Sequence, residues 1–461
     1  MYLAIHTITL IILVLANGGR HDWAYNFGAI LLCLHAIPIT LELINNRAQI
    51  HRLGPKFWIY AVILPWTAFS VLFAYSLFNP NFLTIYNNLF SPLLVIEHNS
   101  SLPTTPNPAR SLLFLQFTIG LLFMTVSVLI TKMTRRHIRI CLSGLLIFGT
   151  FLAVSGALMK LTGSREFLWV VEFREPVAFA TFFYKNHWAY FALLISSIGV
   201  ALMQYSYNRE KNTGHIPEKS IAYALCTLIV LVSIPLAQAR GATFASIPLA
   251  LVFIYIITRW LPTRKSRIFT AIIFFVLAGI STWFMSQMVE PQFAHALERS
   301  EKQIENYKDK DFKSLKRIAL YRDSWIMFKE KPIWGWGVGS FIHIHPIYAG
   351  PEFYKKDSDY PVAYEFAHSD YLQTLAEKGI VGSTLLVLPF ALLGIFLTSK
   401  ARWKNPISPI LLLGSGLVLL TAAIDFSLSN PAIAMGTLLI LSIGVRYALL
   451  SQRTESNPQS S

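Results

Sequence analysis

Long apolar stretches separated by short polar breaks run along the chain from Tyr2 to Leu449. Each stretch is roughly 17 to 22 residues long, and an α-helix of that length spans a hydrocarbon core about 30 Å thick. The strands of an outer-membrane barrel would instead alternate polar and apolar positions over about 10 residues. The pattern therefore predicts an all-α, polytopic membrane protein with twelve spans, at about 2–16, 25–44, 57–79, 111–131, 140–159, 188–206, 220–238, 241–258, 268–287, 379–399, 407–424 and 431–449.

The composition agrees with this prediction, and the positions of the basic residues indicate the orientation of the chain in the membrane. Hydrophobic residues make up 54% of the 461 residues and charged residues 14%, and the mean hydropathy of +0.50 excludes the soluble classes. The net charge of +15 could suggest a nucleic-acid partner, but many basic residues cluster in five short connections that alternate with the spans. By the positive-inside rule these connections and both termini are cytoplasmic, so the charge records orientation in the bilayer and no nucleic-acid partner is expected. The basic residues in the connections are Arg47, Arg52, Lys56, Lys132, Arg135, Arg136, Arg139, Arg209, Lys211, Lys219, Arg259, Arg264, Lys265, Arg267, Lys400, Arg402 and Lys404.

The longest polar stretch lies between spans nine and ten, at 288–378. It opens with a charged helical pattern at 298–325, passes through Gly- and Trp-rich turns at 332–339 and closes with a short helix at 370–378. The predicted organisation is thus transmembrane helices one to nine at 1–287, an extracytoplasmic loop domain at 288–378, helices ten to twelve at 379–449 and a cytoplasmic tail at 450–461. A large, patterned loop of this kind is where we expect a functional site.

Two arginines on the extracytoplasmic side are candidate anion ligands. Arg240 lies at the outer end of span seven, where a guanidinium is costly unless it pairs, reaches water or faces a ligand. Arg317 shares a helical face with Tyr321, whereas Arg322 points elsewhere. Arg240 and Arg317 both suit bidentate binding of a phosphate or carboxylate. The alternatives are an interface anchor for Arg240 and an ordinary surface helix around Arg317.

A histidine just before a predicted helix is the candidate general base. Ser369 or Asp370 can N-cap this short helix, and Gly379 can end it. His368 then lies beside a helix N-terminus, where an imidazole can deprotonate a hydroxyl and the backbone amides favour an anion. The alternative is a histidine held by hydrogen bonds within its loop.

Other polar residues are weaker candidates. His187 enters span six and can help to line a cavity, and Asp425 at the outer end of span eleven can pair with an arginine or cap a turn. His343 and His345 would share one face of a strand, but no cysteine or carboxylate is spaced to complete a metal site, so no metal is expected. The three cysteines lie within apolar segments and indicate no disulfide framework.

Three motifs together resemble the O-antigen ligase and O-antigen polymerase superfamily of bacterial envelope glycosyltransferases. The first is His368-Ser369, followed by nine residues and Gly379-x-x-Gly382. The second is Arg317, four residues before Tyr321 and fifteen before Pro332 with its tail of Gly335, Gly337 and Gly339; the third is Ala239-Arg240-Gly241. The resemblance covers roughly residues 179 to 432. Ala239 replaces a serine that is frequent in the family, and Tyr321 replaces a tryptophan.

The resemblance implies a helical, GT-C-like transferase of the bacterial inner membrane with a periplasmic active site. It would take a glycan from an undecaprenyl-diphosphate carrier and join it to a sugar hydroxyl, such as one on lipid A–core, without a metal, cofactor or nucleotide sugar. His368 would be the catalytic base, and Arg240 and Arg317 would bind the diphosphate. Arg322, Ser369, Tyr321, Asp425 and His187 are possible supporting residues.

The same features are compatible with other activities. A polymerase would use a second carrier-linked repeat unit as its acceptor, and a protein O-glycosylating transferase would use a protein. A polysaccharide-lipid transporter or flippase is the alternative from a different class. The sequence has no obvious internal repeat, and its polar residues concentrate on one face of the membrane, so transport is the less favoured interpretation.

Overall fold

The structure is a computed structural model. It describes residues 2–34, 36–37, 39–40, 56–84, 93–95, 99–164, 166–167, 171–172, 178–210, 215–261, 263–265, 268, 272, 312–354, 361–398 and 405–456. Within these ranges the chain is predominantly α-helical, so the all-α prediction is confirmed. The helices are α1 (Tyr2–Leu15), α2 (Asp22–Leu34), α3 (Lys56–Tyr75), α4 (Pro108–Ile130), α5 (Arg135–Thr162), α6 (Lys185–Glu210), α7 (Glu218–Leu236), α8 (Arg240–Trp260), α9 (Phe312–Glu330), α10 (Phe341–Tyr348), α11 (Asp370–Leu397), α12 (Ile407–Thr421) and α13 (Pro431–Ser456).

Short 3₁₀ turns and two small strand pairs connect these helices. The 3₁₀ turns are Asn17–Gly19, Ser76–Phe78 and Pro351–Phe353. Strand β1 (Phe82–Thr84) pairs antiparallel with β2 (Leu93–Val95), with Phe82 opposite Val95. Strand β3 (Glu166–Phe167) pairs antiparallel with β4 (Val171–Glu172). These strands have only two or three residues each, so they connect segments of loops and add little to the hydrophobic core.

Among the described residues, seven helices are long and apolar enough to cross a membrane, and four shorter helices are apolar over 10–17 residues. These eleven helices coincide with eleven of the twelve predicted spans. The ninth predicted span, at about 268–287, lies outside the described residues apart from 268 and 272. The chain is therefore a multi-pass membrane protein, and the count of twelve stays a prediction. The seven long helices are Pro108–Ile130, Arg135–Thr162, Lys185–Glu210, Glu218–Leu236, Arg240–Trp260, Asp370–Leu397 and Pro431–Ser451.

The chain forms two compact units, and the first comprises residues 1–133, 311–399 and 419–449. In this unit α4 packs against α2 and α3, and α11 packs against α3 and α9. Arg446 of α13 is buried and donates to the carbonyl oxygens of Leu129 at 3.0 Å and Thr131 at 2.7 Å. An arginine inside a membrane protein is costly without partners, and the last carbonyl oxygens of a helix lack backbone donors, so these two bonds lower the cost at both groups.

The second unit comprises residues 134–310, 400–418 and 450–461. Its helix α6 packs against α5, α7 and α8. Gly199 on α6 allows the close approach, because a Cβ there would lie 2.0 Å from the Oγ1 of Thr227 on α7. Small residues at helix contacts serve the same purpose in membrane proteins generally.

Outside the apolar spans, α9, α10 and the start of α11 share a hydrophobic core in the first unit. Its members are Ala319, Leu320, Met327, Trp336, Phe341, Ile344, Phe353, Ala367 and Ala376. The predicted helix at 298–325 is observed as α9 from Phe312 to Glu330, and its earlier part lies outside the described residues. The predicted division of the chain at 287 and 378 stays a prediction.

Helix α11 contains a sharp kink at Gly379, where the backbone has φ 61° and ψ −170°. The sequence predicted the end of one helix and the start of a membrane span at this residue. At the kink, backbone amides of the preceding Gly- and Trp-rich segment donate to carbonyl oxygens of α11. The Trp336 amide donates to the Ala376 carbonyl at 3.0 Å, and the Gly337 amide donates to the Glu377 carbonyl at 2.8 Å. The kink therefore separates a short arm, 370–378, from the apolar part of α11.

Candidate active site

His368 lies in a strained turn at the start of the α11 arm. Its φ is 56°, a left-handed conformation that is uncommon for a residue with a side chain. The next residue, Ser369, is the N-cap of α11, and its Oγ accepts from the amide of Leu372 at 3.3 Å. One residue earlier, the Ala367 amide donates to the Gln373 side chain at 3.0 Å. Strain of this kind persists where the surroundings fix the backbone, and it is frequent at functional sites.

The His368 ring is packed between a carboxylate and an aromatic ring from the loop before α13. Its buried Nδ1 lies 3.5 Å from Oδ1 of Asp425. The ring meets Phe426 edge to face, with centroids 4.9 Å apart. The histidine side chain keeps 22% exposure, whereas that of Asp425 keeps 6%. The imidazole thus faces the Asp425 carboxylate on its buried Nδ1 side and is reachable by solvent elsewhere.

Asp370 ties this loop to the start of α11. Its amide is within hydrogen-bond distance of the carbonyl oxygens of Ala422, at 2.9 Å, and Asp425, at 3.2 Å. Its buried carboxylate accepts from the amide of Leu428 at 2.6 Å, and from the amide and hydroxyl of Ser429 at 3.1 and 2.6 Å. The sequence suggested Asp370 only as an alternative N-cap, and the cap is Ser369. The acid directly after the N-cap serine is the signal that sequence reasoning could have weighed.

Tyr321 connects α9 to the same turn. Its hydroxyl lies 2.9 Å from the carbonyl oxygen of His368 and 3.3 Å from that of Ile424. Burial raises the pKa of Tyr321; the positive charge of Arg317 opposes this shift, and the negative charge of Asp425 adds to it. The phenol therefore stays protonated and remains a donor to the turn.

Arg317 and Arg322 lie in different environments, as the helical periodicity predicts. Arg317 is exposed, one helical turn before Tyr321, and close enough for its charge to act on that phenol. The Nη2 atom of Arg322 instead lies 2.7 Å from Oε1 of Glu352 and 2.8 Å from Oδ1 of the buried Asp323. Arg322 is thus engaged in ion pairs within the first unit, while Arg317 lies on the same helical face as Tyr321.

A further charged group close in sequence to His368 escaped the sequence analysis. Glu365 accepts from Nη2 of Arg110 at 2.8 Å, and Nη2 of Arg20 lies 3.4 Å from its other oxygen. All three side chains are partly exposed, with 34–44% of their surface accessible. The pairing joins the residues before His368 to the N-terminal end of α4. It could not be found from the sequence, because its members lie 255 and 345 positions apart.

The glycines of the motifs have steric roles at the kink. A Cβ on Gly379 would lie 2.2 Å from the Ile333 carbonyl oxygen, and one on Gly335 would lie 2.4 Å from the backbone carbon of Glu377. The buried Glu377 carboxylate accepts from the Gly339 amide at 3.1 Å and pairs with Lys378 at 2.9 Å. The spacing of the glycines therefore reflects how the segment 332–339 packs on α11. This packing supports the arm 370–378, which begins after His368.

The two candidates in the second unit are described on their own. Arg240 is the first residue of α8, and its side chain is exposed. Gln238, two residues before it, has a φ of 60°, so a tight turn leads into the helix. His187 is buried near the start of α6, where its ring meets Tyr184 edge to face at 5.2 Å. The roles of both residues stay predictions.

His343 and His345 would share a face in a strand, but both residues lie on helix α10. Residues two positions apart on a helix point in nearly opposite directions, so these two histidines share no face. His345 is buried, with Nε2 3.3 Å from Oδ2 of Asp323, whereas His343 lies 3.4 Å from the Asn107 side chain. Within the described part of the chain, no three His, Cys, Asp or Glu side chains converge as metal ligands would.

Comparison with known families finds a match that covers this region. Residues 225–387 match the family described as O-Antigen ligase. A search of curated proteins gives no significant match. The matched range contains Arg240, Arg317 and the His368-Ser369 motif, so the resemblance inferred from those residues is confirmed. The family comprises membrane glycosyltransferases that act on lipid-linked glycans. Residues 225–387 of this multi-pass membrane protein are therefore similar to the O-antigen ligase family.

Proposed function

We propose that the protein is an O-antigen ligase-type transferase, which moves a glycan from an undecaprenyl-diphosphate carrier to a sugar hydroxyl such as one on lipid A–core. The observation that carries this proposal is the partly exposed His368, whose ring faces the Asp425 carboxylate and whose carbonyl oxygen accepts from Tyr321 of α9. An acceptor hydroxyl needs a base, and a departing diphosphate needs a cation. His368 can supply the base and Arg317 the cation: the His368 carbonyl oxygen accepts from Tyr321, and the charge of Arg317 acts on the same tyrosine.

His368 is the base in this proposal. A carboxylate opposite Nδ1 favours the tautomer that carries its proton on Nδ1, which leaves the lone pair on Nε2. Asp425 at 3.5 Å supports that assignment. Nε2 then takes the proton of the acceptor hydroxyl, and the resulting imidazolium is stabilised by the carboxylate. A positioned base of this kind contributes roughly 10²–10⁴-fold to the rate.

Arg317 is the proposed diphosphate ligand of the first unit. It is exposed and is not bound to Asp323 and Glu352 as Arg322 is. A guanidinium can bind two phosphate oxygens at once and can stabilise the charge that develops as the sugar–diphosphate bond breaks. Arg240 is assigned the same ligand from its sequence motif. Glycan transfer by Arg240→Ala at the wild-type rate would contradict that assignment.

The proposed step is a direct displacement. The acceptor oxygen forms a bond to the anomeric carbon, the bond from that carbon to the carrier diphosphate breaks, and the hydroxyl proton passes to His368. The diphosphate leaves as an anion on the arginine. Attack opposite to the leaving group inverts the anomeric configuration, which NMR of donor and product would reveal. In this proposal no metal or nucleotide sugar takes part, the site is periplasmic, and both termini are cytoplasmic.

The experiment is complementation of a strain that lacks this protein with the wild type or with His368→Ala. Surface polysaccharide is separated on gels, and carrier-linked glycan is quantified in the same cells. The proposal predicts that His368→Ala lacks glycan-bearing lipid A bands and accumulates long carrier-linked chains. Attachment of a single repeat to the core would instead mean that the activity is that of a polymerase. A normal ladder from His368→Ala would overturn the assignment of the base and favour a transport role.

A further inference from the structure

We propose that Asp370 is a positioning residue, which holds the loop 422–429 so that Asp425 stays opposite His368. The inference rests on the proposed function, because it assigns the means by which the proposed base is oriented. Asp370 itself does not touch the substrate in this scheme. The test of this role therefore measures whether the effects of substituting Asp370 and Asp425 depend on each other.

His368 and Asp425 need such a device because they come from separate segments of the chain. The histidine precedes α11 and the aspartate precedes α13, and 3.5 Å separates Nδ1 of His368 from Oδ1 of Asp425. That distance is already long for a hydrogen bond, so a further displacement of about 1 Å would end the interaction. The His368 turn also has a positive φ, and it therefore requires support from its neighbours.

Asp370 supplies this support from both its backbone and its side chain. Its amide is directed at the carbonyl oxygens of Ala422 and Asp425, and its carboxylate accepts three bonds from Leu428 and Ser429. The side chain of Asp370 therefore binds the loop after Asp425, at Leu428 and Ser429. Its amide binds the loop at Asp425 itself and before it, at Ala422. Charge-assisted bonds to a buried carboxylate are among the stronger polar contacts in proteins.

Asparagine cannot replace this aspartate without loss, although it has almost the same shape. Oδ2 accepts from the Leu428 amide, and Oδ1 accepts from the Ser429 amide and hydroxyl. An amide side chain has one oxygen and one NH₂ group, so either orientation directs an NH₂ at a backbone N–H. At least one bond is lost and two donors face each other, which displaces the loop that carries Asp425.

A purely structural role is the competing explanation, because an acid in the first turn of a helix also stabilises that helix. The two explanations differ in how Asp370 and Asp425 combine. If Asp370 acts by placing Asp425, removing Asp425 makes Asp370 unimportant for turnover. If Asp370 only supports folding, folded Asp370→Asn keeps the wild-type kcat; if it affects turnover independently of Asp425, the two losses multiply.

The experiment measures kcat and KM for Asp370→Asn, Asp425→Asn and the double variant as full-length, folded protein in proteoliposomes. The donor is undecaprenyl-diphosphate-linked glycan and the acceptor is lipid A–core. We expect each single variant to lose about tenfold or more in kcat, part of the roughly 10²–10⁴-fold due to a positioned base. KM for both substrates should stay within about twofold, and the double variant should be no slower than Asp425→Asn. A double variant slower by the product of the two losses would overturn the inference.

Two matched variants guard against misfolding. Ser429→Ala removes one hydroxyl bond to Asp370 and leaves the backbone bonds in place; we expect a smaller loss in kcat that vanishes in the Asp425→Asn background. Asp323→Asn removes another buried carboxylate of the first unit, which pairs with Arg322 and His345 instead of the Asp425 loop. Its kcat per folded molecule should match the wild type, and a loss equal to that of Asp370→Asn would contradict the inference.

Failure of the inference can be distinguished from failure of the proposed function. If His368→Ala turns over at the wild-type rate in the same assay, the proposed function fails, and the positioning role fails with it. If His368→Ala and Asp425→Asn are impaired but folded Asp370→Asn is not, the proposed function stands. Asp370 would then be no positioning residue.

Discussion

Replacing Gly379 with alanine should be among the most damaging single-methyl changes in the first unit. The residue has φ 61° and ψ −170°, a region of backbone space that is essentially restricted to glycine. A Cβ would also lie 2.2 Å from the Ile333 carbonyl oxygen and 2.6 Å from the Trp334 amide nitrogen. Both of these atoms belong to the backbone, so no flexible side chain can move aside.

The magnitude follows from two costs. Holding a non-glycine residue in a disallowed region costs about 1–3 kcal/mol. Moving the 332–334 backbone away breaks the bonds from Ile380 to the Pro332 carbonyl and from Val381 to the Ile333 carbonyl. Each such bond contributes about 1 kcal/mol, so Gly379→Ala should lower the free energy of unfolding by about 3–5 kcal/mol.

The assay is thermal or denaturant unfolding of the purified, detergent-solubilised protein, followed by tryptophan fluorescence. Gly144→Ala is the matched control, because Gly144 has ordinary helical geometry on α5 and a methyl group there would meet no described atom of another element within 4 Å. Alanine there should stabilise the protein by up to about 1 kcal/mol through helix propensity. Equal stability of the two variants would refute the steric role of Gly379 at the kink.

Three further predictions concern the arginine pair, the tyrosine and pH. Arg317→Ala should reduce glycan transfer by about tenfold or more at unchanged folding, whereas Arg322→Ala should mainly lower the melting temperature, because Arg322 is held in ion pairs; full transfer by Arg317→Ala together with loss of transfer in Arg322→Ala would contradict the assignment. Tyr321→Phe should destabilise the protein by about 1 kcal/mol and slow transfer, as it removes the donor to the His368 turn; an unchanged rate and melting temperature would argue against that bond. Burial, and then the charge of Arg110, lower the pKa of His343, so protonation opposes folding and stability should fall as the pH drops below about 6.5; His343→Gln should flatten this dependence, and an unaltered pH profile would count against it.

Much of the fold could be predicted from the sequence because apolar length and periodicity are local signals. The span boundaries, the N-cap at Ser369 and the break at Gly379 all depend on residues a few positions apart. The shared face of Arg317 and Tyr321 follows from helical geometry in the same way. These features needed no knowledge of tertiary contacts.

The features that sequence reasoning missed depend on distant contacts. Asp370 binds residues 58 and 59 positions away, and Glu365 pairs with Arg110 across 255 positions. The alternating Phe341–His345 segment resembles a strand, yet it is helical because Phe341 and Ile344 join the core with α9 and α11. Tertiary packing there overrides the local pattern.

His368 is proposed as the base of a glycan transfer from a lipid diphosphate, and every other assignment at the site depends on it. The most direct test is single-turnover transfer in proteoliposomes by wild type and His368→Ala, with binding of the carrier-linked donor measured on the same samples. We expect His368→Ala to bind the donor as the wild type does and to transfer it at least about 10²-fold more slowly. Transfer by His368→Ala at the wild-type rate would contradict the proposed role of the histidine.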